Sequence, residues 1–367
     1  MGERGAAVED VVAGANPDPG FWRGKRVLLT GHTGFKGAWA AIWLSRMGAV
    51  VTGFALPPAT EPNLWAMAGE GLLAGEVRAD LGDRSAVAEA VAQANPELVL
   101  HMAAQALVRA SYRDPVGTYA TNLIGTVHLL DALRDRDGLK AALIVTTDKV
   151  YANADQGRDF VEDDRLGGHD PYSASKACAE IATASYAASF FRGDGAPRIA
   201  TARAGNVIGG GDWAEDRLIP DVWRATRRGE SVALRHPDAT RPWQHVLEPL
   251  AGYFLYLEAL AGQRAVPDAL NFGPEPGETA TVASVAEAMG EALGVARAWR
   301  RDEGPTPPEM KLLSLDPAAA RAALGWRPRL RSAEAIAWSA QWYAARDRGG
   351  EALALCHEQI DRYEALA

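Results

Sequence analysis

Arg26-Val27-Leu28-Leu29-Thr30-Gly31-His32-Thr33-Gly34-Phe35-Lys36-Gly37 runs from five residues suited to a buried strand straight into three glycines spaced Gly-x-x-Gly-x-x-Gly. A helical pattern follows over 38–47. Glycines let the backbone approach a pyrophosphate closely, and a helix starting there offers free N–H groups and the positive end of its dipole. A glycine-rich strand-to-helix turn can also exist without a ligand. The flanking strand and helix favour a dinucleotide site, with Gly31, Gly34, Phe35 and Gly37 as its cradle.

Outward from this turn the alternation repeats. Strands are expected at 50–55, 76–79, 98–101, 142–146 and 198–203, with helical stretches at 85–94, 116–134 and 175–191 between them. Alternating β and α elements predict an α/β fold with a doubly wound parallel sheet. Beyond 203 the alternation loosens through Gly209-Gly210-Gly211, several prolines and helices at 218–228 and 282–293. That change predicts a smaller, partly interleaved C-terminal lobe. The expected division is a flexible extension at 1–20, a dinucleotide-binding domain at 21–205 with returning segments near 240–273, and a substrate lobe made mainly of 206–367.

The 367 residues carry a net charge of −9, with 48% hydrophobic and 23% charged residues. No cationic field draws such a chain to nucleic acid or anionic lipid, so neither partner is expected. Only Cys178 and Cys356 are present, too few for a disulfide framework or a multi-cysteine metal site. The first twenty residues lack the apolar core of a signal peptide, and the longest apolar stretch, near 98–108, is too short to span a bilayer. A soluble cytoplasmic protein without a bound metal is expected.

A carboxylate for the adenosine ribose is ordinarily found about 20 residues past the glycine turn. Here the second strand ends Gly53-Phe54-Ala55-Leu56 and has none. Asp80, beside Leu81 after the third strand, is a candidate to bind the adenine amino group, or equally a helix cap. These residues lean to NAD over NADP. Tyr172-Ser173-Ala174-Ser175-Lys176 puts tyrosine and lysine four apart on one helical face. With nine tyrosines and six lysines, chance gives about 0.15 such pairs. A cation beside a phenol lowers the phenol's pKa, so Tyr172 can take a hydroxyl proton as hydride leaves the same carbon.

Thr30 to Gly37, Asp80-Leu81, His101-Met102-Ala103-Ala104, Asn122, Val145 to Tyr151, Tyr172 to Lys176 and Gly325-Trp326-Arg327-Pro328 together resemble the extended short-chain dehydrogenase/reductase superfamily over about 25–330. Thr147-Asp148-Lys149, the block Arg203 to Trp213 and the block Arg241 to Leu250 are similar to the CDP-glucose 4,6-dehydratases within it. The resemblance implies a Rossmann-type fold and a lyase of deoxysugar biosynthesis. CDP-glucose would lose water to give a 4-keto-6-deoxy sugar, with NAD reduced and reoxidised in each turnover.

Tyr172 and Lys176 would serve C4 oxidation, helped by Thr147, with Ala103 and Ala104 against the cofactor. Lys149 would be the base at C5 and Asp148 the acid at O6. The dTDP-glucose relatives carry a glutamate at the lysine position, and a lysine base needs a depressed pKa, which Lys176 and the oxidised nicotinamide are expected to provide. Gln105, Asn206, Arg217, Arg241 and Asn271 are the implied substrate contacts, the arginines because a planar fork of donors matches phosphate oxygens. A homodimer or dimer-based tetramer formed through the helices at 116–134 and 175–191 is also implied. A 4-epimerase or reductase would share Tyr172 and Lys176 but has no evident need for Asp148 and Lys149. A non-catalytic cofactor-binding scaffold has no need of any of them.

Overall fold

The computed structural model describes residues 15–152, 157–302 and 313–367. Seven strands form one parallel sheet: β1 (Arg26–Thr30), β2 (Val50–Ala55), β3 (Gly75–Arg78), β4 (Leu98–His101), β5 (Ala141–Val145), β6 (Arg198–Ala204) and β7 (Ala269–Phe272). Their order is β7-β6-β5-β4-β1-β2-β3. β4 and β5 are buried at every residue, and β1 and β6 at all but the first. A parallel sheet covered on both faces requires this continuous apolar character, which is why these strands show no alternation. The chain reverses direction across the sheet between β1 and β4, and in such folds the crevice at the strands' carboxyl ends is where ligands bind.

Helices α1 (Phe35–Arg46), α2 (Leu64–Ala68), α3 (Arg84–Ala94), α4 (Gly125–Leu133) and α5 (Pro171–Phe190) follow the strands. One face of the sheet packs Leu28, Val99 and Ile144 against Val87 and Val91 of α3 and Leu129 and Leu130 of α4. The other packs Val27, Leu29 and Leu143 with Trp39 and Trp43 of α1 and a C-terminal group of helices. Burying one such side chain fully is worth about 1.5–3 kcal/mol.

The helix expected over 116–134 runs without a break from Pro115 to Leu133 but widens midway. Pro115–Tyr119 and α4 flank a wide π-type turn at Ala120–Ile124. Asn122 lies in that turn and is buried, accepting from the Gln105 backbone N–H at 2.8 Å and donating to Ser175 Oγ at 2.9 Å. A π turn re-aims one side chain of a helix, and here it ties the β4 loop to α5.

After β6, α6 (Leu218–Arg227), α7 (Leu247–Ala261), α8 (Val282–Ala292), α9 (Ser332–Asp347) and α10 (Ala352–Glu364) complete the main helices. The sequence pattern does not mark α9 or α10. α10 packs back on α1: Trp43 Nε1 donates to Glu364 at 2.9 Å, and Arg46 pairs with Asp361. Part of the expected flexible extension is also docked. The Asp18 backbone N–H and Trp22 Nε1 both donate to Glu258 Oε1, at 2.9 and 2.6 Å, and Arg329 donates to the Ala15 carbonyl at 2.8 Å. Residues 15–20 are therefore held by carboxylate and guanidinium partners; residues 1–14 of the extension lie outside the described residues. No helix among the described residues is long and apolar enough to cross a membrane.

Candidate active site

The glycine turn closes tightly because it lacks side chains. Gly31 has φ +80°, and a Cβ there would lie 2.7 Å from the Ala103 nitrogen; one on Gly37 would lie 2.1 Å from the Gly31 carbonyl oxygen. The turn thus rests on the β4 loop, and Thr30 Oγ1 accepts from the Met102 and Ala103 N–H groups at 3.1 Å each. His101 links Thr30 to Thr126, and burial pushes its pKa down to about 3, so it is a neutral strut. Gly34 caps α1 without a side chain and is exposed, which leaves the helix's first N–H groups free to receive a diphosphate.

The remaining cofactor positions lie around this turn. Leu81 is buried, and Ala103 and Ala104 are half-buried. Asp80 is not the cap of α3, a task Asp83 performs by accepting from the Ser85 and Ala86 N–H groups. Among the described residues its exposed carboxylate holds the Gly82 N–H, at 2.6 Å. These residues fit a dinucleotide.

α5 is begun by Asp170, which accepts from the Ser173 N–H at 2.9 Å, with Pro171 in the first turn. One turn inside, Tyr172 and Lys176 are both buried. Lys176 Nζ donates to the Val145 carbonyl at 2.8 Å, and burial, opposed by Glu180, pulls its pKa down to about 8. The phenol pKa was expected to fall. Burial raises it instead, outweighing the Thr147 hydrogen bond and the Arg217 charge, which both favour the phenolate.

β5 delivers Thr147, Asp148 and Lys149 to the same place. Thr147 caps a single 3-10 turn, Asp148–Val150, and its hydroxyl donates to Asp148 Oδ1 at 2.9 Å. Lys149 Nζ donates to that oxygen at 3.0 Å. Asp148 is 1% exposed, and its Oδ2 has no partner among the described residues.

Behind this group stands a bidentate pair. Arg203 on β6 donates to both oxygens of Glu180 on α5, at 3.0 and 2.9 Å, and to Tyr151 Oη at 2.7 Å. Glu180 also accepts from Thr146 and Thr201. One buried carboxylate thereby fixes the ends of β5 and β6 against the helix that carries Tyr172 and Lys176.

The implied substrate residues divide. Asn206 and Arg217 line a cleft with Asp212, Ile208, Pro220 and Trp243, and the Arg217 charge acts on Tyr172 and Asp212. Arg241, on a two-residue strand (Thr240–Arg241) paired with Ala280–Thr281, lies two residues before Trp243 and donates to the Thr240 carbonyl. Asn271 is not available to a substrate. It is fully buried on β7, accepts from Tyr151 Oη at 2.7 Å and donates to the Phe160 carbonyl at 2.9 Å. Gln105 is likewise engaged, donating to Thr118 at 3.0 Å and accepting from the Leu107 N–H at 2.6 Å.

Lys36 carried no assigned role, although it stands in the glycine turn. Its Nζ lies 5.6 Å from the centroid of the Tyr253 ring. Burial and the charges of Arg217 and Lys176 bring its pKa down to about 7, against the pull of Asp148. The signal was a basic residue in a turn otherwise made of glycine and apolar residues. Among the described residues no group of histidine, cysteine and carboxylate side chains could hold a metal ion.

Residues 27–273 match the model of the NAD dependent epimerase/dehydratase family. The chain is similar to the CDP-glucose 4,6-dehydratase of Salmonella typhimurium, at 41% identity over 94% of this chain and 98% of that protein. Its fold superposes on the UDP-glucose 4-epimerase of Thermus thermophilus in complex with NAD, with a TM-score of 0.72 and 26% identity over 86% of this chain and 98% of that one. It also superposes on the UDP-glucose-4-epimerase of Stenotrophomonas maltophila with bound NAD and formylated UDP-arabinopyranose, with a TM-score of 0.75 and 24% identity over 89% of this chain and all of that one. With a family model matched over more than half of its length and a relative of that identity along nearly all of it, the chain belongs to the NAD dependent epimerase/dehydratase family.

Proposed function

We propose that this protein is a hydro-lyase that converts CDP-glucose to CDP-4-keto-6-deoxyglucose and water. The observation that carries the proposal is the long similarity to a CDP-glucose 4,6-dehydratase, joined to the buried Thr147 and Asp148 and the half-buried Lys149 in one turn beside Tyr172. When bound, NAD supplies a hydride acceptor for sugar C4 and a hydride donor for C6. Gly31, Gly34 and Gly37 hold its diphosphate, and Tyr172 takes the proton of the C4 hydroxyl. The Thr147 hydrogen bond and the Arg217 charge favour its phenolate, and Lys176 is held one helical turn on, against the Val145 carbonyl.

With C4 a ketone, the C5 proton is acidified and the C6 hydroxyl becomes a β leaving group. Elimination then needs a base at C5 and an acid at O6. Moving one proton along the 3.0 Å bond from Lys149 Nζ to Asp148 Oδ1 creates both: an amine to take the C5 proton and a carboxylic acid to protonate the departing hydroxyl. After elimination the nitrogen is again protonated and the carboxylate again ionised, so the pair is reset.

Arg217 and Arg241 hold the sugar-nucleotide diphosphate, with Asn206 beside them. The protein acts in the cytoplasm in deoxysugar biosynthesis, as a homodimer or a dimer-based tetramer. Val116, Ile124 and Ile181, apolar yet 78%, 45% and 59% exposed on the helices expected to pair, support that association. Incubation with CDP-, UDP-, dTDP- and GDP-glucose, reading the product by mass and by 4-keto absorbance in base, tests the assignment. It requires loss of water from CDP-glucose; inversion at C4 without loss of water would instead make the protein an epimerase.

A further inference from the structure

Gly209-Gly210-Gly211 stands apart from the cofactor turn in sequence, yet it is pressed against the helix that the turn begins. Trp39, one turn into α1 and fully buried, donates its Nε1 to the Gly210 carbonyl at 2.8 Å. A Cβ on Gly209 would lie 3.0 Å from the ring of Phe35, the first residue of α1, and one on Gly210 would lie 2.0 Å from Trp342 of α9. Bare backbone is what lets the segment pass between these aromatic side chains.

The same segment leads into the substrate cleft, which Asn206, Gly209, Asp212 and Arg217 line. Residues 209–217 form neither helix nor strand, so their backbone groups must find partners on other elements. Beyond Gly210, Tyr343 Oη of α9 donates to the Asp212 carbonyl, and Arg224 of α6 donates to the Trp213 and Ala214 carbonyls at 2.9 and 3.1 Å. An arginine meets a diphosphate with higher affinity when its loop is ordered beforehand, because ordering on binding subtracts from the affinity.

We propose that Trp39 is a positioning residue for the sugar-nucleotide site: by holding the Gly210 carbonyl it orders the 209–217 loop before substrate arrives, so that the diphosphate meets Arg217 already in place. The inference rests on the sugar-nucleotide reading of the cleft. It gives α1 two tasks, the cofactor diphosphate at its first turn and the substrate loop at its second.

Calorimetric titration of the full-length protein with CDP, which carries no sugar to react, and separately with NAD tests it. Trp39→Phe keeps a buried ring and removes the donor. A buried acceptor left unmet corresponds to about 5–100-fold, so this variant should bind CDP more weakly within that range while NAD stays within about twofold of wild type. Amides of 209–217 should exchange faster in the free variant and regain protection when CDP binds. Trp43→Phe is the matched control: its ring is buried one turn further along α1, but its Nε1 donates to Glu364, so CDP affinity should not change. Tyr343→Phe removes a second tie on the same loop and should weaken CDP alone; it carries the test if Trp39→Phe does not fold. CDP binding within about twofold of wild type in these loop variants would overturn the inference, as would a loss of NAD affinity equal to the loss for CDP. Wild-type protein that binds NAD but neither CDP nor CDP-glucose would instead overturn the sugar-nucleotide reading of the cleft, and the wild-type titration alone shows which of the two has failed.

Discussion

Lys149 Nζ lies 3.0 Å from Asp148 Oδ1, and the other oxygen of that carboxylate is buried with no partner among the described residues. Adjacent residues rarely present both charges to one point, because their side chains usually diverge. Here the 3-10 turn capped by Thr147 curls the backbone so that they converge. The arrangement sets a nitrogen and an oxygen within hydrogen-bond reach of each other, the geometry that the proposed base and acid require.

Replacing the nitrogen should separate elimination from oxidation. In Lys149→Met, Tyr172 and Lys176 are untouched, so a reduced-nicotinamide absorbance should rise on adding CDP-glucose and then persist. Wild-type product formed in D₂O should carry deuterium at C5, and sugar recovered from the variant should carry little. Equal dehydration rates and equal labelling would remove Lys149 from the chemistry.

Tyr172→Phe keeps the ring packed against its buried surroundings and removes only the hydroxyl. Loss of a positioned base should slow C4 oxidation roughly 10²–10⁴-fold, measured as the first-turnover rate of cofactor reduction. Near-normal oxidation would make the tyrosine and lysine spacing a coincidence.

The Arg203–Glu180 pair is 4% exposed at each partner. Glu180→Gln leaves an uncompensated buried guanidinium and should lower unfolding stability by about 3–5 kcal/mol in denaturant titration. A double replacement, Glu180→Met with Arg203→Met, should cost less than that single change, because no unpaired charge remains. A double variant less stable than Glu180→Gln would show that packing and not charge pairing dominates there.

Lys36 gives a pH signature. Its pKa is about 7 folded, depressed from 10.5 by burial and by Arg217 and Lys176. Between those values the unfolded chain binds a proton that the folded chain does not, so stability rises with pH across the window. Lys36→Met should be stabilised relative to wild type near pH 7, with the gain fading toward pH 10.5. A stability difference that does not change over that range would show that Lys36 is solvated in the folded protein.

Much of this was legible in the sequence because periodicity and glycine spacing act locally. The run Arg26 to Thr30 could be little other than a buried strand, and Tyr172 with Lys176 needed only the helical repeat to share a face. The substrate lobe was less legible because its contacts are long-range. Asn271 is a substrate contact by resemblance alone, yet β7 places it under Tyr151 and Phe160, where both ends of its amide are consumed. Helix α9 lacks strong amphipathic character because it is buried on several sides, Trp338, Trp342 and Tyr343 among its buried residues, whereas α10 carries one buried stripe, Ala352, Cys356, Ile360 and Tyr363, whose partner on α1 is remote in sequence. The phenol of Tyr172 shows the same limit in electrostatics. Spacing revealed the neighbouring cation, but the cost of burial is set by the whole fold.

The central claim is that the hydride removed from C4 returns to C6 of the same sugar. CDP-glucose carrying deuterium at C4 should yield 4-keto-6-deoxy product with that deuterium at C6, in many turnovers per bound NAD and with no net gain in reduced nicotinamide. Reduced cofactor accumulating one-for-one with product, or deuterium lost from the sugar, would contradict it and make the protein a simple dehydrogenase.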